Sequence, residues 1–332
     1  MVGTGKIIPT HLNALKKIPA VNVVGIYGRD PTRTSQIAHS FGLKPFKSFQ
    51  DILSNPNIQI IDIANSSDLH ADYALEACRY HKNLIIEKPI DTSIEKASEI
   101  VKLCKENNCT LGVIYQNRFN ENIVLLKKLI DQNLLGRLTS GSIIWRQRRD
   151  IEYYLRIKEK WKGVLINNGI HFIDLLIYLI GEEPTFLKGF LKKTRPEIVV
   201  EDYANLLLEF ENGRIFTIDL TTNVKKSLPT IIEINGEKGS IIFREDKIQF
   251  TSIDIPLNKA IWTKGLLKLY LARKYKIALK FQVGSHVEVF QDYCKALEKQ
   301  VAPNGDGEDA LKSLKVVNSI YSQIKNFKSS LV

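Results

Sequence analysis

The chain is poor in cysteine, methionine and tryptophan: 332 residues contain four, one and three of them. The cysteines (Cys78, Cys104, Cys109, Cys294) are dispersed and form no Cys-x-x-Cys pair. That argues against a zinc site or a disulfide frame and for a reducing, cytoplasmic setting. No apolar run reaches the roughly 18 residues a membrane-spanning helix needs, and Met1-Val2-Gly3-Thr4-Gly5 lacks the apolar stretch of a signal peptide. No repeat, low-complexity tract or flexible linker interrupts the chain. Acidic residues are in deficit, 36 Asp+Glu against 47 Lys+Arg, for a formal net charge of +11. The lysines are spread rather than clustered with interleaved aromatics, so no nucleic-acid partner is expected. One local excess, 259–280, carries Lys264, Lys268, Arg273, Lys274 and Lys276 beside Trp262, Leu266, Leu267, Tyr270 and Leu271. It reads as a solvated helix in a subunit contact, or else as a basic helix on a membrane surface.

What is present is a core-forming composition, 44% hydrophobic, in a chain long enough for two domains. Through residue 118 short apolar runs alternate with helical spacing. Val21–Ile26, Ile58–Ala64, Asn83–Ile86 and Thr110–Tyr115 read as buried strands. Asp68–Tyr80 and Ser93–Glu106 read as helices, and Asp30-Pro31 as the cap and first turn of another. This is an α/β pattern, a Rossmann-type doubly wound parallel sheet over 1–118. Over 119–332 the runs near Leu138–Gln147, Glu201–Phe210, Arg214–Thr221, Thr230–Ile234 and Ser240–Phe243 are separated in several places by glycine turns. They predict an α+β domain with a large open, mostly antiparallel sheet. Helices Ile170–Ile180 and Val287–Glu298 are expected to cover one of its faces, Asp309–Ile324 to be a last amphipathic helix, and a ligand cleft to lie between the domains.

Gly3-Thr4-Gly5-Lys6-Ile7-Ile8 opens like a dinucleotide fingerprint, one glycine for the turn and one for approach of a pyrophosphate. It departs from the pattern in three ways. Only Met1 and Val2 precede it, where a strand of about five residues is expected; the first strand is therefore truncated, or the chain continues upstream. Ile8 fills the third small position. The second strand ends Tyr27-Gly28-Arg29 rather than in an acid. Gly28 leaving room and Arg29 bringing charge would tolerate a ribose 2′-phosphate, so NAD and NADP both stay open; Asp30 is read as a helix cap.

Glu87-Lys88-Pro89 and Asn168-Gly169-Ile170-His171-Phe172 carry the chemistry. A lysine at a strand end and a histidine on a helix suit proton transfer at a sugar hydroxyl. Together with the glycine loop, Ser67-Asp68-Leu69-His70, Gln116-Asn117-Arg118-Phe119-Asn120, Val200-Glu201-Asp202-Tyr203, Gly236-Glu237-Lys238-Gly239 and Gly307-Glu308-Asp309-Ala310, they resemble the glucose–fructose oxidoreductase, inositol dehydrogenase and MocA family (Gfo/Idh/MocA). The stretch Tyr153-Tyr154…Trp161-Lys162-Gly163-Val164…His171 is most similar to its UDP-N-acetylhexosamine 3-dehydrogenases of surface-polysaccharide biosynthesis. One departure is that Gly163 runs directly into Val164, where that subgroup has a glycine-rich insert.

The resemblance implies an NAD- or NADP-dependent oxidation of a secondary hydroxyl of a sugar or sugar nucleotide. His171 would be the acid/base, Lys88 would hold the same oxygen, and Asn167, four residues before His171, would orient ring or substrate. It implies cofactor contacts from Gly3, Gly5, Lys6, Ile7, Gly28, Arg29, Asn65, His70, Glu87, Lys88 and Gln116. Substrate contacts would come from Arg118, Tyr153, Tyr154, Trp161, Asn167 and Asn168. Asp174 reads as a structural hydrogen-bonding group. His11, His39, His81 and His286 show no ligand spacing, so no metal is expected. A homo-oligomer, dimer or tetramer, is expected through the open sheet. A relative that keeps the fold but has lost turnover is the alternative.

Overall fold

Val2 is the residue that joins two groups of parallel strands into one sheet. It bridges Tyr27 on one side and Ile63 on the other. Its N–H donates to Asp62 O and its carbonyl accepts from Ala64 N, both at 2.8 Å. Beyond Tyr27 lie Gly25–Ile26 and Lys44–Pro45; beyond Ile63 lie Ile60–Ile63, Asn83–Ile86 and Leu111–Val113, all parallel. The computed structural model describes residues 1–155, 163–245, 247–253, 273 and 286–329. Trp161 and, apart from Arg273, the basic stretch 259–280 lie outside the described residues.

The expected strand Val21–Ile26 is a strand only at Gly25–Ile26. A strand needs a hydrogen-bonding neighbour, and beside Val21–Val24 there is instead a cavity of about 350 Å³ of mixed lining, with Ile58, Ile60, Phe290 and Tyr293 beside Asn57, Gln59 and Glu298. The Met1 ammonium sits at this cavity, donating to Gly25 O at 3.0 Å, and burial pushes its pKa down. The helices around the sheet begin as their caps dictate. Asp30 accepts from Arg33 N at 3.1 Å to start Pro31–Phe41, and Ser93 accepts from Lys96 N at 3.2 Å to start Ile94–Glu106. Ile8, the bulky third position, is absorbed by a core of Leu12, Ile26, Ala38 and Ala64. Cys78 and Cys104, dispersed in sequence, meet with sulfurs 2.8 Å apart, and the Cys109 sulfur lies 3.9 Å from Cys78 O.

Two units divide the chain: Met1–Gln116 with Gly284–Leu314, and Asn117–Val283 with Lys315–Val332. The segment 284–314 thus goes with the first unit, not with the second as the sequence reading had it. The reason lies in packing: helix His286–Lys299 sets Tyr293 against Gly112 and Phe290 edge-on to His11, 5.3 Å between ring centres. A side chain at Gly112 would meet the Tyr293 ring at 2.7 Å.

The second unit holds a seven-stranded sheet in the order 247–251, 239–244, 228–236, 138–146, 214–221, 203–210, 186–192. Every neighbouring pair is antiparallel except 138–146 with 214–221. Two strands were not foreseen. Phe186–Lys192 reads FLKGFLK, which hides its alternation of exposed and half-exposed positions, and Lys247–Thr251 is a short edge. Helix Ile170–Ile180 buries nine of its eleven residues, so it is held on nearly all sides. Phe172 meets Trp145 of the sheet with ring centres 6.2 Å apart.

Candidate active site

The first unit carries a nucleotide-type turn. Gly3 has φ +125°, and a Cβ there would strike Ala64 O at 2.5 Å, so only glycine fits. Above the turn is a cavity of about 410 Å³ lined by Val2, Gly3, Thr4, Gly5, Gly28, Arg29, Asp30, Arg33, Asn65, Ser66 and Tyr73. Ile7 precedes helix Ile8–Leu15 without a side-chain cap, and Lys6 beside it is exposed. The Asn65 amide is buried with neither its oxygen nor its nitrogen hydrogen-bonded. Each such group costs about 1–3 kcal/mol unless a ligand meets it, so the wall of this cavity fits a polar guest such as a dinucleotide. Gly28 corrects the sequence reading. It does not leave room, because a Cβ would meet Thr4 Cγ2 at 2.5 Å and Thr34 Oγ1 at 2.9 Å. Positive charge at the cavity comes from Arg29 and from Arg33, which the sequence reading missed.

At the end of strand Asn83–Ile86, Glu87 N donates to Ile63 O at 2.8 Å and starts the Glu87-Lys88-Pro89 turn, whose Lys88–Pro89 peptide is cis. His70, expected at the cofactor, is fully buried and meets the Pro89 carbonyl through Nδ1 at 2.8 Å. Burial lowers its pKa despite that bond, and the ring locates the turn. Lys88 is half-buried; burial pushes its amine down and the Glu87 carboxylate partly counters this. The Glu87 carboxylate takes a hydrogen bond from His11 Nε2 at 3.0 Å, while His11 Nδ1 donates to Asp62 Oδ2 at 2.9 Å. Burial opposes charge on His11, but Asp62 and Glu87 outweigh it and push the pKa up to about 10. Burial would raise Glu87, but His11 and His286 hold it well below the usual carboxylate range. His11 and His286, which showed no ligand spacing in sequence, therefore meet at one carboxylate; this corrects the sequence reading. Gln116 stands just past strand Leu111–Val113 with Oε1 buried and not hydrogen-bonded.

In the second unit, His171 is buried, 8% exposed, at the second residue of helix Ile170–Ile180. A π-turn, Leu165–Gly169, feeds this helix and carries half-buried Asn167 and Asn168. Such turns are frequent at functional sites. The direct joint Gly163-Val164 is anchored rather than loose. Val164 N donates to Glu201 O at 2.9 Å and Leu165 N to Glu201 Oε1 at 3.1 Å. Tyr321 OH adds a bond to Glu201 Oε1 at 2.7 Å. A Cβ on Gly163 would sit about 2.0 Å from the Glu201 carboxylate, so any larger residue must displace that anchor. Glu201 was noted in sequence only as part of a motif; its anchoring role carries no local signal.

Two expected substrate contacts turn out to be structural. Arg118 is 3% exposed and clamps Asp174, itself fully buried, with Nε to Oδ2 at 2.8 Å; its guanidinium also lies 4.8 Å from the Tyr178 ring centre. A polar helix residue buried among leucines needs such a partner. Tyr154 is 2% exposed, packs with Ile198 and Val200, and shares a hydrogen bond with Thr222 Oγ1 at 2.5 Å. Tyr153 beside it is 37% exposed and is the one of the pair open to a ligand. Both lie on the short helix Ile151–Leu155.

Comparison with known proteins agrees with this architecture. Residues 1–115 match the family described as oxidoreductase family, NAD-binding Rossmann fold, and residues 123–242 match the GFO/IDH/MocA C-terminal domain. The uncharacterized oxidoreductase YrbE of Bacillus subtilis is 26% identical over 249 residues, 72% of this chain and 71% of that protein. The inositol 2-dehydrogenase of Rhizobium meliloti is 23% identical over 320 residues, 94% of this chain and 92% of that protein. The crystal structure of the WlbA dehydrogenase from Bordetella pertussis, in complex with NADH and UDP-GlcNAcA, aligns with a TM-score of 0.86 at 26% identity, covering 98% of this chain and 94% of that one.

A glycine turn on a parallel sheet is the setting in which a dinucleotide binds, and the family match makes this chain a nicotinamide-dependent oxidoreductase. The chain belongs to the Gfo/Idh/MocA family, NAD-binding oxidoreductases that include dehydrogenases of sugars and of inositol.

Proposed function

We propose that the chain oxidises a secondary hydroxyl of a UDP-N-acetylhexosamine or its uronate, at C3, in polysaccharide biosynthesis. The observation that carries this is the likeness over 98% of the chain to a dehydrogenase solved with NADH and UDP-GlcNAcA. The buried His171 on its π-turn supports a built acid/base.

Gly3, Gly5, Lys6, Ile7, Gly28, Arg29 and Asn65 would hold the dinucleotide, with Glu87, Lys88 and Gln116 nearer its reactive end. The nicotinamide, when bound, accepts the hydride that leaves the substrate carbon. His171 takes the hydroxyl proton as the C–O bond becomes a carbonyl, so each turnover yields a ketone, a reduced nicotinamide and one proton. Lys88, its amine already weakened by burial, is the cation of the first unit that would stabilise negative charge developing on the substrate. Asn167 orients the ring of His171, and Asn168 and Tyr153 contact the sugar nucleotide. The exposed sheet face with Phe186, Phe190, Leu207 and Ile215 supports a homo-oligomer. Among the described residues no helix is long and apolar enough to cross a membrane, and the free buried thiols suit a cytoplasmic reaction.

The test is nicotinamide reduction with UDP-GlcNAcA as substrate. Lys88→Ala and His171→Ala are each expected to lower kcat by about 10²–10⁴-fold, with NAD affinity retained in His171→Ala. Turnover that survives both changes would sink the assignment.

A second reading, a binding protein without turnover, draws on the single residue, Val2, that joins the two halves of the nucleotide sheet. It predicts no NAD binding in equilibrium dialysis, and stoichiometric binding rejects it.

A further inference from the structure

His11 Nε2 lies 3.0 Å from Glu87 Oε1, and His286 Nε2 lies 3.6 Å from the same oxygen. The donor atoms of the three residues fall within 4.8 Å of one another. They come from three elements of the first unit: helix Ile8–Leu15, the turn after strand Asn83–Ile86, and the start of helix His286–Lys299. His11 is fully buried, and the Glu87 and His286 side chains are each 13% exposed.

The spacing fits a metal. Zinc bonds of about 2.0–2.1 Å in tetrahedral geometry put neighbouring donors about 3.3 Å apart; the two separations to Glu87 bracket that value, and the two histidine nitrogens, within 4.8 Å of each other, would draw together on the ion. The second shell is in place as well. Asp62 Oδ2 accepts from His11 Nδ1 at 2.9 Å, which leaves Nε2 facing the other two donors; a carboxylate behind a histidine is the usual device for orienting a ligating ring. His286 Nε2 is buried and makes no hydrogen bond, a cost that a bound cation removes. Two imidazoles and one carboxylate suit zinc or a neighbouring first-row ion, whereas magnesium and calcium take oxygen ligands.

We propose that His11, Glu87 and His286 form a binding site for a divalent first-row transition ion, zinc foremost, with Asp62 orienting His11. Binding exchanges a proton for the ion: Nε2–H of His11 releases its proton to solvent, its lone pair takes the metal, and the Glu87 oxygen that accepted that hydrogen becomes a ligand. The ion would tie the two helices to the turn that carries Lys88. This site stands apart from the dehydrogenase reading, because its readout is metal content rather than turnover.

The untagged full chain is incubated with zinc sulfate, desalted through a weak chelator and analysed for zinc per chain. One zinc per chain is expected in the wild type, with near-complete loss in His286→Gln, whose side chain sits at a helix start and whose circular dichroism should match that of the wild type. Asp62→Asn should weaken binding by about 10–100-fold. His39→Gln and His81→Gln, both exposed, should retain the metal. Cobalt in place of zinc should give the intense visible bands of a tetrahedral site. A wild type that retains no zinc, or a His286→Gln chain that retains as much as the wild type, overturns the proposal.

Discussion

The Glu201 carboxylate accepts the backbone N–H of Leu165 at 3.1 Å and so holds the π-turn that leads to His171. Burial pushes this carboxyl above its ordinary value, and the bonds from Tyr321 and Leu165 pull it only part of the way back. A carboxyl whose folded pKa is raised costs nothing while it is protonated in both states. Its cost appears as pH rises through the unfolded value, about 4.3, and is complete above the folded one. Glu201→Gln keeps the accepting oxygen and removes the charge. The melting temperature of Glu201→Gln relative to wild type should therefore climb over the range of rising pH that begins at about 4.3. A difference that stays flat across that range contradicts this account. Gly163→Ala, which drives a methyl into the same carboxylate, should cost about 1–3 kcal/mol at any pH.

Arg118 and Asp174 form a buried pair, so removing one partner strands the other. Arg118→Met and Asp174→Asn should each cost about 3–5 kcal/mol by denaturant unfolding. Arg118→Met with Asp174→Leu should recover most of it. The substrate KM of any folded single variant should stay near wild type. A raised KM with unchanged stability would return Arg118 to the substrate site.

Asn65 separates binding from folding. Asn65→Ala removes two buried groups that have no hydrogen bonds, so the chain without nucleotide should be as stable as wild type or more so. Its affinity for NAD, measured by calorimetry, should fall about 5- to 150-fold, the equivalent of about 1–3 kcal/mol. Unchanged affinity would show that the dinucleotide does not use this amide.

Phe190, Leu207 and Ile215 are 59%, 36% and 45% exposed on one face of the seven-stranded sheet. If that face pairs subunits, Phe190→Lys with Ile215→Lys should reduce the mass seen by light scattering to that of one chain, with circular dichroism unchanged. An unaltered mass would place the contact elsewhere.

Features whose hydrogen bonds close within a few residues were legible in the sequence. Asp30 capping Pro31–Phe41 and Ser93 capping Ile94–Glu106 each depend on the chain's own neighbours. The apolar periods that mark the parallel strands and helix Ile170–Ile180 are likewise written in consecutive residues. So are the motifs around Lys88 and His171, and with them the family.

The roles of individual side chains were settled by segments far away in the chain. Arg118 became half of an ion pair because Asp174 is buried against it, and Tyr154 a core residue because Ile198 and Val200 cover it. Val21–Val24, apolar and β-branched as a strand should be, is not one, since a strand exists only where a neighbour offers its hydrogen bonds. His11 and His286 show no spacing that links them, yet both face Glu87. Periodicity and capping report a segment's own preferences. Burial, charge pairing and ligand geometry belong to the groups that folding brings together, and only the tertiary contacts decide which groups those are.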